Sequence, residues 1–305
     1  MTNDHRAGLL FALAGFGTLA IGDAVVKSMA GMWPGTAVAM LRYVFGATWL
    51  SAVLYAREGR AGFIFPKPHI QLLRGFGVSL SSVAMFCALF LIPLAEAISI
   101  GFTAPMITAL LASLVLKEPM RRETWIASIV AFVGVLIVLR PNFAVIGWAA
   151  LLPLLSAIGM ALLVIGNRKV AGHASALSMQ VALAVFAMPF LLVAVLVGHA
   201  SGLPALHVGT PDWSVVARCA LVSVTASVAH GLIYLATTRA GAATIAPMTY
   251  AQLVVATLLG WAIFAETPDA IALLGAAIIV GAGLYLWRAG VAREPRRPRK
   301  ERKIA

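Results

Sequence analysis

The sequence predicts an all-α integral membrane protein, and its composition, its charge distribution and an internal repeat all support that prediction. Of its 305 residues, 61% are hydrophobic and only 11% are charged, and the mean hydropathy is +0.96. Soluble domains are about 45–50% apolar and about 25% charged. Most of this chain must therefore contact lipid rather than water, which excludes a soluble enzyme, a disulfide-rich secreted domain and a disordered protein.

Ten apolar segments are long enough to cross a bilayer, which takes about 20 apolar residues in a helix. The predicted spans are 7–29, 35–56, 72–92, 95–116, 123–140, 145–166, 174–198, 213–237, 241–264 and 270–288. The first span is not expected to be a cleaved signal peptide, because no small-residue cleavage site follows it before the next span. The connections are too short to form a catalytic domain outside the membrane.

The distribution of Lys and Arg orients these spans, because basic residues concentrate in cytoplasmic loops. With the N-terminus in the cytoplasm, nineteen of the 23 basic residues fall on the inner side and only Arg140 falls outside. Lys27, Arg42 and Arg218 lie within spans. Both termini are therefore predicted to be cytoplasmic. The net charge of +12 then requires no nucleic-acid partner, since the basic tail is explained as a segment that contacts anionic lipid.

The chain repeats itself at an offset of 148 residues. Glu118 and Glu266 end the fourth and ninth spans, and Arg140 and Arg288 end the fifth and tenth. Because each half has an odd number of spans, the two halves must cross the membrane in opposite directions. Such inverted repeats build secondary transporters, with the substrate site near the midplane between the halves. The predicted domains are a five-helix repeat at 7–141, a second, inverted five-helix repeat at 144–289 and a basic cytoplasmic tail at 290–305.

Several motifs resemble the EamA branch of the drug/metabolite transporter superfamily, over nearly all of residues 7–290. The matching motifs are Pro-Leu-Ala-Glu-Ala ending at Ala97, Leu-x-Glu at Glu118, Gly-Val-Leu-Ile-x-Leu-Arg-Pro at Pro141, and Tyr250-Ala-Gln-Leu followed by Phe-Ala-Glu266. The resemblance implies a ten-helix carrier of the bacterial inner membrane, with a pathway lined by spans 1–4 and 6–9 and with spans 5 and 10 peripheral. It also implies a compact substrate such as an amino acid, riboflavin, S-adenosylmethionine or an opine-type chelator.

Charged side chains within spans form the first candidate site, because each costs at least about 2.5 kcal/mol in a bilayer. Asp23 and Arg42 lie at one depth, about 10 Å below the predicted outer surface, with Lys27 one turn from Asp23 and Arg218 in the same layer. One interpretation is a structural Asp23–Arg42 ion pair, with Lys27 extending to the surface. The other is an outer gate, or a site that recognises a substrate carboxylate or phosphate. Glu266 is interpreted as structural.

A polar stripe on the eighth span forms the second candidate site, because its members recur every three or four residues and share one helical face. The stripe comprises Ser223, Ser227, His230, Tyr234 and Thr237. Under the offset, Ser82 corresponds to His230 and Phe86 to Tyr234. Such serines often join membrane helices by hydrogen bonds, so packing and a pathway role both stay open. His230 changes charge near neutral pH, which makes it a candidate for substrate contact or proton coupling.

Prolines interrupt the fourth and ninth spans, at Pro105 and Pro247. Each removes one helical hydrogen bond, which membranes tolerate where the freed carbonyl lines a cavity. Candidate pathway residues beside these breaks are Phe102, Thr103, Tyr250 and Gln252. The repeat pairs Phe102 with Tyr250, so the two rings are candidate walls for a flat ligand, with ordinary kinked packing as the alternative.

A secondary transporter that moves a small organic metabolite by alternating access is the function that these observations favour. The alternatives are a proton-coupled exporter of drugs or toxic metabolites, with His230 and Asp23 as proton carriers, a channel, and an intramembrane enzyme. No cofactor or metal site is expected, since the sequence has no His-Glu-x-x-His or Walker motif and Cys87 and Cys219 lie in apolar runs. The expected partners are a substrate, membrane lipid and protons, in a monomer or homodimer.

Overall fold

The computed structural model describes residues 3–116, 122–170, 172–240, 246–267 and 269–291, so Glu118 and most of the basic tail lie outside the described residues. Within these ranges the chain forms eleven α-helices. The helices are α1 (Asn3–Lys27), α2 (Gly35–Glu58), α3 (Pro68–Leu91), α4 (Leu94–Gly101), α5 (Ala104–Leu116), α6 (Arg122–Ile146), α7 (Leu152–Val170), α8 (Ala176–Ala200), α9 (Trp213–Ala240), α10 (Ala251–Phe264) and α11 (Ala270–Val291). Short 3-10 helices cover Gly59–Phe63, Gly147–Leu151, Pro204–Leu206 and Ala246–Tyr250.

Within the described ranges, seven helical segments are long and apolar enough to cross a membrane. Three shorter apolar segments, Trp125–Val138, Met248–Phe264 and Ala270–Tyr285, correspond to the fifth, ninth and tenth predicted spans. The prediction of an all-α, multi-pass membrane protein is therefore confirmed.

Two of the predicted spans are broken helices, as their prolines indicate. The fourth span divides into α4 and α5 at Phe102 and Thr103, directly before Pro105. The ninth contains the 3-10 helix Ala246–Tyr250 ahead of α10. The α6 helix continues to Ile146, past its apolar segment Trp125–Val138, which lies within the predicted fifth span. A proline removes only one helical hydrogen bond, so Pro141 does not end this helix.

Glycines let several helix pairs pack backbone against backbone, as small residues do in membrane proteins. A Cβ on Gly77 of α3 would lie 2.8 Å from the Gly159 carbonyl oxygen of α7, and one on Gly159 would lie 2.6 Å from the Gly77 oxygen. The pair Gly134 and Gly275 brings α6 and α11 together in the same way. Side chains at these positions would force the helices apart.

Two helix pairs frame the interior of the bundle. The α1 helix packs along α9, and α3 packs along α7, whereas α1 and α3 touch over only a short length. The α2 helix contacts α3, α8 and α9, while α10 packs against α1 and α4. The charged and polar residues of the candidate site lie on α1, α2, α9 and α10.

Candidate transport site

Lys27, in the last turn of α1, connects α1 to the opposite helix pair. Its Nζ lies 2.8 Å from Glu266 Oε1 and donates hydrogen bonds to the carbonyl oxygens of Leu89 (2.9 Å) and Ile92 (2.6 Å) at the end of α3. Glu266 Oε2 accepts a hydrogen bond of 2.8 Å from the backbone N–H of Leu94, where α4 begins. We call these five residues the lock. The lock joins the end of α1 to the α3–α4 connection and to the turn after α10.

The backbone after α10 explains why Glu266 points into the bundle. Ala265 adopts a left-handed conformation with φ of 53°, and the Glu266 N–H donates to the Gly260 carbonyl oxygen at 3.0 Å. This turn folds Glu266 back over α10. Gly260 leaves the space that the carboxylate fills, since a Cβ there would lie 2.9 Å from Glu266 Oε2. Glu266 therefore faces Lys27 and α4 rather than loop residues.

The predicted Asp23–Arg42 ion pair is wrong, because the two described side chains form no salt bridge. Asp23 Oδ2 instead accepts a hydrogen bond of 2.9 Å from Gln252 Nε2 of α10. The α10 helix packs against α1 and brings a neutral donor to the carboxylate. The expectation that Lys27 extends to the surface is also wrong, since Glu266 and two carbonyl oxygens hold it inside.

Arg42 lies in the interior beside two aromatic rings. Its Cζ is 4.5 Å from the Tyr43 ring centroid and 5.6 Å from that of Phe86, so both rings stabilise the cation. The Tyr43 and Ser82 hydroxyls lie 3.2 Å apart and are hydrogen-bonded, which joins α2 to α3. Within the part of the chain that the structure describes, the Arg42 guanidinium has no hydrogen-bond acceptor and no acidic partner. Its donors remain available to another group.

The sequence predicts Asp23 and Arg42 in one layer and His230 in a separate stripe. In the structure the three residues come from α1, α2 and α9.

The His230 and Tyr234 side chains are exposed, and Tyr234 is 58% exposed. The lipid-facing side of α9 is marked by Leu221, Val224 and Val228, which are about half exposed. At about 100° per residue, His230 and Tyr234 lie roughly 120° around the helix from that side. The predicted pathway face of α9 is therefore distinct from the exposed apolar side of the same helix.

The two serines of the α9 stripe differ in their contacts. Ser227 Oγ donates to the Ser223 carbonyl oxygen at 2.9 Å, within the helix, while the Ser223 hydroxyl is buried against α2 and has no hydrogen-bond partner among the described residues. The side chain of Thr237 lies outside the described residues. Ser227 thus uses its own helix as its acceptor and still lies next to the exposed His230.

Phe102 and Tyr250, predicted as aromatic walls, contact each other directly. Their ring centroids are 5.3 Å apart and the rings are perpendicular, so this conformation leaves no gap between them for a flat ligand. Tyr250 also packs against α11, where a Cβ on Gly283 would lie 1.8 Å from its hydroxyl oxygen. Thr103 is buried, and its hydroxyl donates to the Ile100 carbonyl oxygen at 2.7 Å. These three residues hold the break between α4 and α5 in place.

Unlike the Arg42 guanidinium, the Arg218 guanidinium donates a hydrogen bond to a described residue. Its Nη1 donates to the Ser28 carbonyl oxygen at 2.8 Å and contacts Met32 Sδ at 3.3 Å. It therefore joins α9 to the turn between α1 and α2, at the same end as the lock. Of the four intramembrane charges, Lys27 and Arg218 bind backbone at this end, while Asp23 and Arg42 face the interior.

Sequence reasoning missed a buried cluster at the predicted inner end. Arg74, counted as a loop residue, is buried in α3. Its Nε donates to Asn167 Oδ1 (2.6 Å), its Nη2 donates to the Met179 carbonyl oxygen (3.2 Å), and its Nη1 donates to Gln71 Oε1. The signal available in the sequence was the i, i+3 spacing of Gln71 and Arg74, which places both on one helical face. The cluster joins α3 to α7 and α8.

A separate groove of about 370 Å³ lies between α4, α10 and α11. Its lining is mostly apolar, with Glu96, Ser99 and Thr257 as polar members. Neither Arg42 nor His230 is among its lining residues.

The α-helical membrane fold with a polar interior defines the class as a multi-pass transport protein. The chain belongs to the EamA-like transporter family, whose profile matches residues 6–140 and 147–287, and thus to the drug/metabolite transporter superfamily. The family and its transporter relatives identify it as a transporter of small metabolites rather than an enzyme.

Three curated relatives are similar over most of their length. A riboflavin transporter of Rhizobium johnstonii is 30% identical, with 86% of this chain and 84% of the relative covered. An S-adenosylmethionine uptake transporter of Rickettsia bellii is 29% identical, with 82% of each chain covered. A pseudopaline exporter of Pseudomonas aeruginosa is 24% identical, with 93% of this chain and 96% of the relative covered. A crystal structure at 19% identity shares the fold, with a TM-score of 0.58 over 96% of this chain and 99% of that chain.

Proposed function

We propose that this protein is a secondary transporter that moves a small organic metabolite across the bacterial inner membrane by alternating access. The observation that carries the proposal is the lock, which closes one end of an interior that contains Asp23, Arg42 and His230. In this proposal the two halves, 7–141 and 144–289, are inverted repeats, and both termini lie in the cytoplasm, so the lock faces the periplasm.

The packing supports a lock that opens. The α1–α9 and α3–α7 pairs are each held by long backbone contacts, and a small number of polar bonds bridge them at the lock. If the closed and open conformations differ by a few kcal/mol in free energy, a few polar bonds are enough to favour the closed one. Breaking the lock would let the pairs separate at the outer end without unfolding either of them.

The site and the relatives together define the range of cargo. Riboflavin, S-adenosylmethionine and pseudopaline are named for the relatives, and all three are compact polar organic molecules. The candidate site of this chain contains side chains that can bind such molecules: a cation, a carboxylate, an imidazole, an amide and aromatic rings. We therefore propose that the cargo is a compound resembling an amino acid, riboflavin, S-adenosylmethionine or an opine.

A depletion screen in liposomes tests the proposal. Purified protein is reconstituted into vesicles loaded with pooled amino acids, riboflavin, S-adenosylmethionine, opines and drugs, and the contents are followed by mass spectrometry against protein-free vesicles. The proposal predicts saturable depletion of at least one metabolite. Loss of every pool member at similar rates contradicts it, as does no depletion from protein shown to be folded.

A further inference from the structure

We propose that the protein binds an anionic phospholipid at its predicted cytoplasmic end, where the connection from α2 to α3 meets the connection from α7 to α8. The site contains five basic residues, which we call the basic patch: Arg57, Arg60, Lys67, Arg168 and Lys169. The patch binds the lipid phosphate, and apolar side chains of the first connection contact the acyl chains. The inference goes beyond the proposed transport function and uses only its orientation, in which this end faces the cytoplasm.

Side-chain hydrogen bonds hold the two connections together, although they are about 100 residues apart in the chain. Lys67 Nζ donates to the Lys169 carbonyl oxygen at 2.9 Å, and Ser175 Oγ donates to Glu58 Oε1 at 2.7 Å. Both bonds run from one connection to the other. The basic residues of the two connections therefore belong to one surface.

The positive charge of the basic patch is not balanced by acidic side chains of the two connections. Four of its members are exposed and Lys169 is half-buried. Glu58 is the one acidic residue within the sequence ranges 57–69 and 166–176. Among the described residues, no member of the patch forms a salt bridge. Basic sites between membrane helices on the cytoplasmic side attract anionic lipid head groups, and five bases against one acid meet that condition.

The backbone of Lys67 supports a role for its ammonium group. Lys67 has a φ of 50°, in the left-handed region that residues with a side chain rarely adopt, and it precedes Pro68, which ordinarily favours an extended conformation. Such strain persists where the surrounding structure enforces it, and it is common at ligand sites. Glycine would adopt this conformation without strain. The ammonium has three donors, of which one binds the Lys169 carbonyl oxygen, so two are left for a phosphate.

An apolar surface on the first connection favours a lipid over a soluble anion. Ile64 is 75% exposed, and Tyr55 in the last turn of α2 is 59% exposed. The Phe65 ring packs edge-on against Phe186 of α8, with the centroids 6.1 Å apart, and so fixes this connection to the bundle. Exposed apolar side chains beside basic ones are typical of surfaces that enter the boundary between acyl chains and anionic head groups.

Thermal unfolding of the full chain in detergent tests the site. The protein is stripped of lipid and titrated with cardiolipin, phosphatidylglycerol, phosphatidylethanolamine or glycerol phosphate. We expect saturable stabilisation by the two anionic lipids and none by phosphatidylethanolamine. Glycerol phosphate, which has no acyl chain, should bind about tenfold more weakly or worse, since burying two methylene groups is worth about that factor. Equal binding would identify a site for a soluble anion and overturn the lipid assignment.

Two double variants with the same net charge give the matched comparison. Arg60→Gln with Arg168→Gln removes one cation from each connection. Arg6→Gln with Arg122→Gln removes two exposed cations from the first turns of α1 and α6 and is the control. Each cation lost from the patch should weaken binding of the anionic lipids by about fivefold, whereas the control should bind them as the unaltered protein does.

Two single variants separate the phosphate contact from the acyl contact. Lys67→Gly should weaken binding of cardiolipin but leave the unfolding temperature without lipid nearly unchanged, because relief of the backbone strain offsets the lost hydrogen bond. Ile64→Ser should weaken binding of cardiolipin and leave that of glycerol phosphate unchanged.

Several results would overturn the inference. Equal weakening in the two double variants would mean that only net charge matters. Equal stabilisation by phosphatidylethanolamine and cardiolipin, or no stabilisation by any lipid, would also contradict the site. Because binding in detergent requires neither a cargo nor a direction of transport, failure of the depletion screen would leave this inference standing, and failure here would leave the transport proposal standing.

Discussion

Weakening the lock should open the predicted outer end of the protein. Glu266→Gln keeps the shape of the side chain and an acceptor for the Leu94 N–H, but it removes the negative charge that faces Lys27. The Lys27 and Glu266 side chains are only 11% and 19% exposed, so their interaction is poorly screened by water. Replacing an ionic hydrogen bond by a neutral one costs about 1–2 kcal/mol, which shifts the balance between closed and open states by about 5- to 30-fold.

Lys27→Met should have a larger effect, because it removes three interactions together. Both carbonyl hydrogen bonds and the ion pair are lost, and the Glu266 carboxylate is left with the Leu94 N–H as its remaining described donor. Breaking one side of a buried pair costs about 3 kcal/mol or more, which corresponds to a shift on the order of 100-fold.

Thiol labelling measures this opening. Ser82→Cys is placed in a background with Cys87→Ala and Cys219→Ala, and a membrane-impermeant maleimide is added to the outer side of intact cells. We expect slow labelling with the lock intact, faster labelling with Glu266→Gln and the fastest with Lys27→Met. Labelling of inside-out vesicles from the other side is the control for folding and orientation. Equal outer labelling rates in all three proteins would refute the gate.

Exchanging the charges of Lys27 and Glu266 should fail to restore the lock, because the backbone groups around each position require one sign of charge. Lys27→Glu would place a carboxylate against the carbonyl oxygens of Leu89 and Ile92, and Glu266→Lys would place an ammonium against the Leu94 N–H. We expect the double variant to be labelled from outside at least as fast as Lys27→Met. Labelling as slow as with the intact lock would mean that only the charge pair matters.

Further predictions concern packing, and each is checked by thermal unfolding in detergent. Gly75→Ala should destabilise the fold by about 1–3 kcal/mol, because its Cβ would lie 2.2 Å from a carbonyl oxygen of α8; Gly231→Ala on α9, which meets no atom within 4 Å, is the matched control and should cost nothing. Ser223→Ala should leave stability unchanged or raise it by about 1 kcal/mol, because its buried hydroxyl has no partner; a large loss would reveal a missed bond. Gly283→Ala should lower stability because Tyr250 occupies the position of the new Cβ, and Tyr250→Leu should restore it; failure of that rescue would contradict the contact.

The positions of the helices could be read from the sequence because apolar length and charge placement determine them directly. The predicted spans 35–56, 174–198 and 213–237 agree within a few residues with α2, α8 and α9. The breaks at Pro105 and before α10 followed from the missing proline N–H. The α6 helix extends beyond its predicted span to Ile146, since the hydrogen bond that Pro141 removes does not require a helix to stop.

The pairing of charges could not be predicted, because depth along a helix does not determine which side chains meet. The sequence suggested Arg42 as the partner of Asp23, but the described hydrogen-bond partner is Gln252, 229 residues further along the chain. The partner of Lys27 is Glu266, which reaches it only because Ala265 reverses the chain after α10. A left-handed alanine has no clear signature in sequence.

The measurement that tests the central claim most directly is trans-stimulation of flux. Proteoliposomes are loaded with the labelled metabolite that the depletion screen identifies, and efflux is followed with and without unlabelled metabolite outside. In a carrier with alternating access, the binding site returns to the inner side faster when it is loaded than when it is empty. The account therefore predicts that external metabolite accelerates efflux and that the acceleration saturates. Efflux that rises linearly with internal concentration and does not respond to external metabolite would identify an open channel and contradict alternating access.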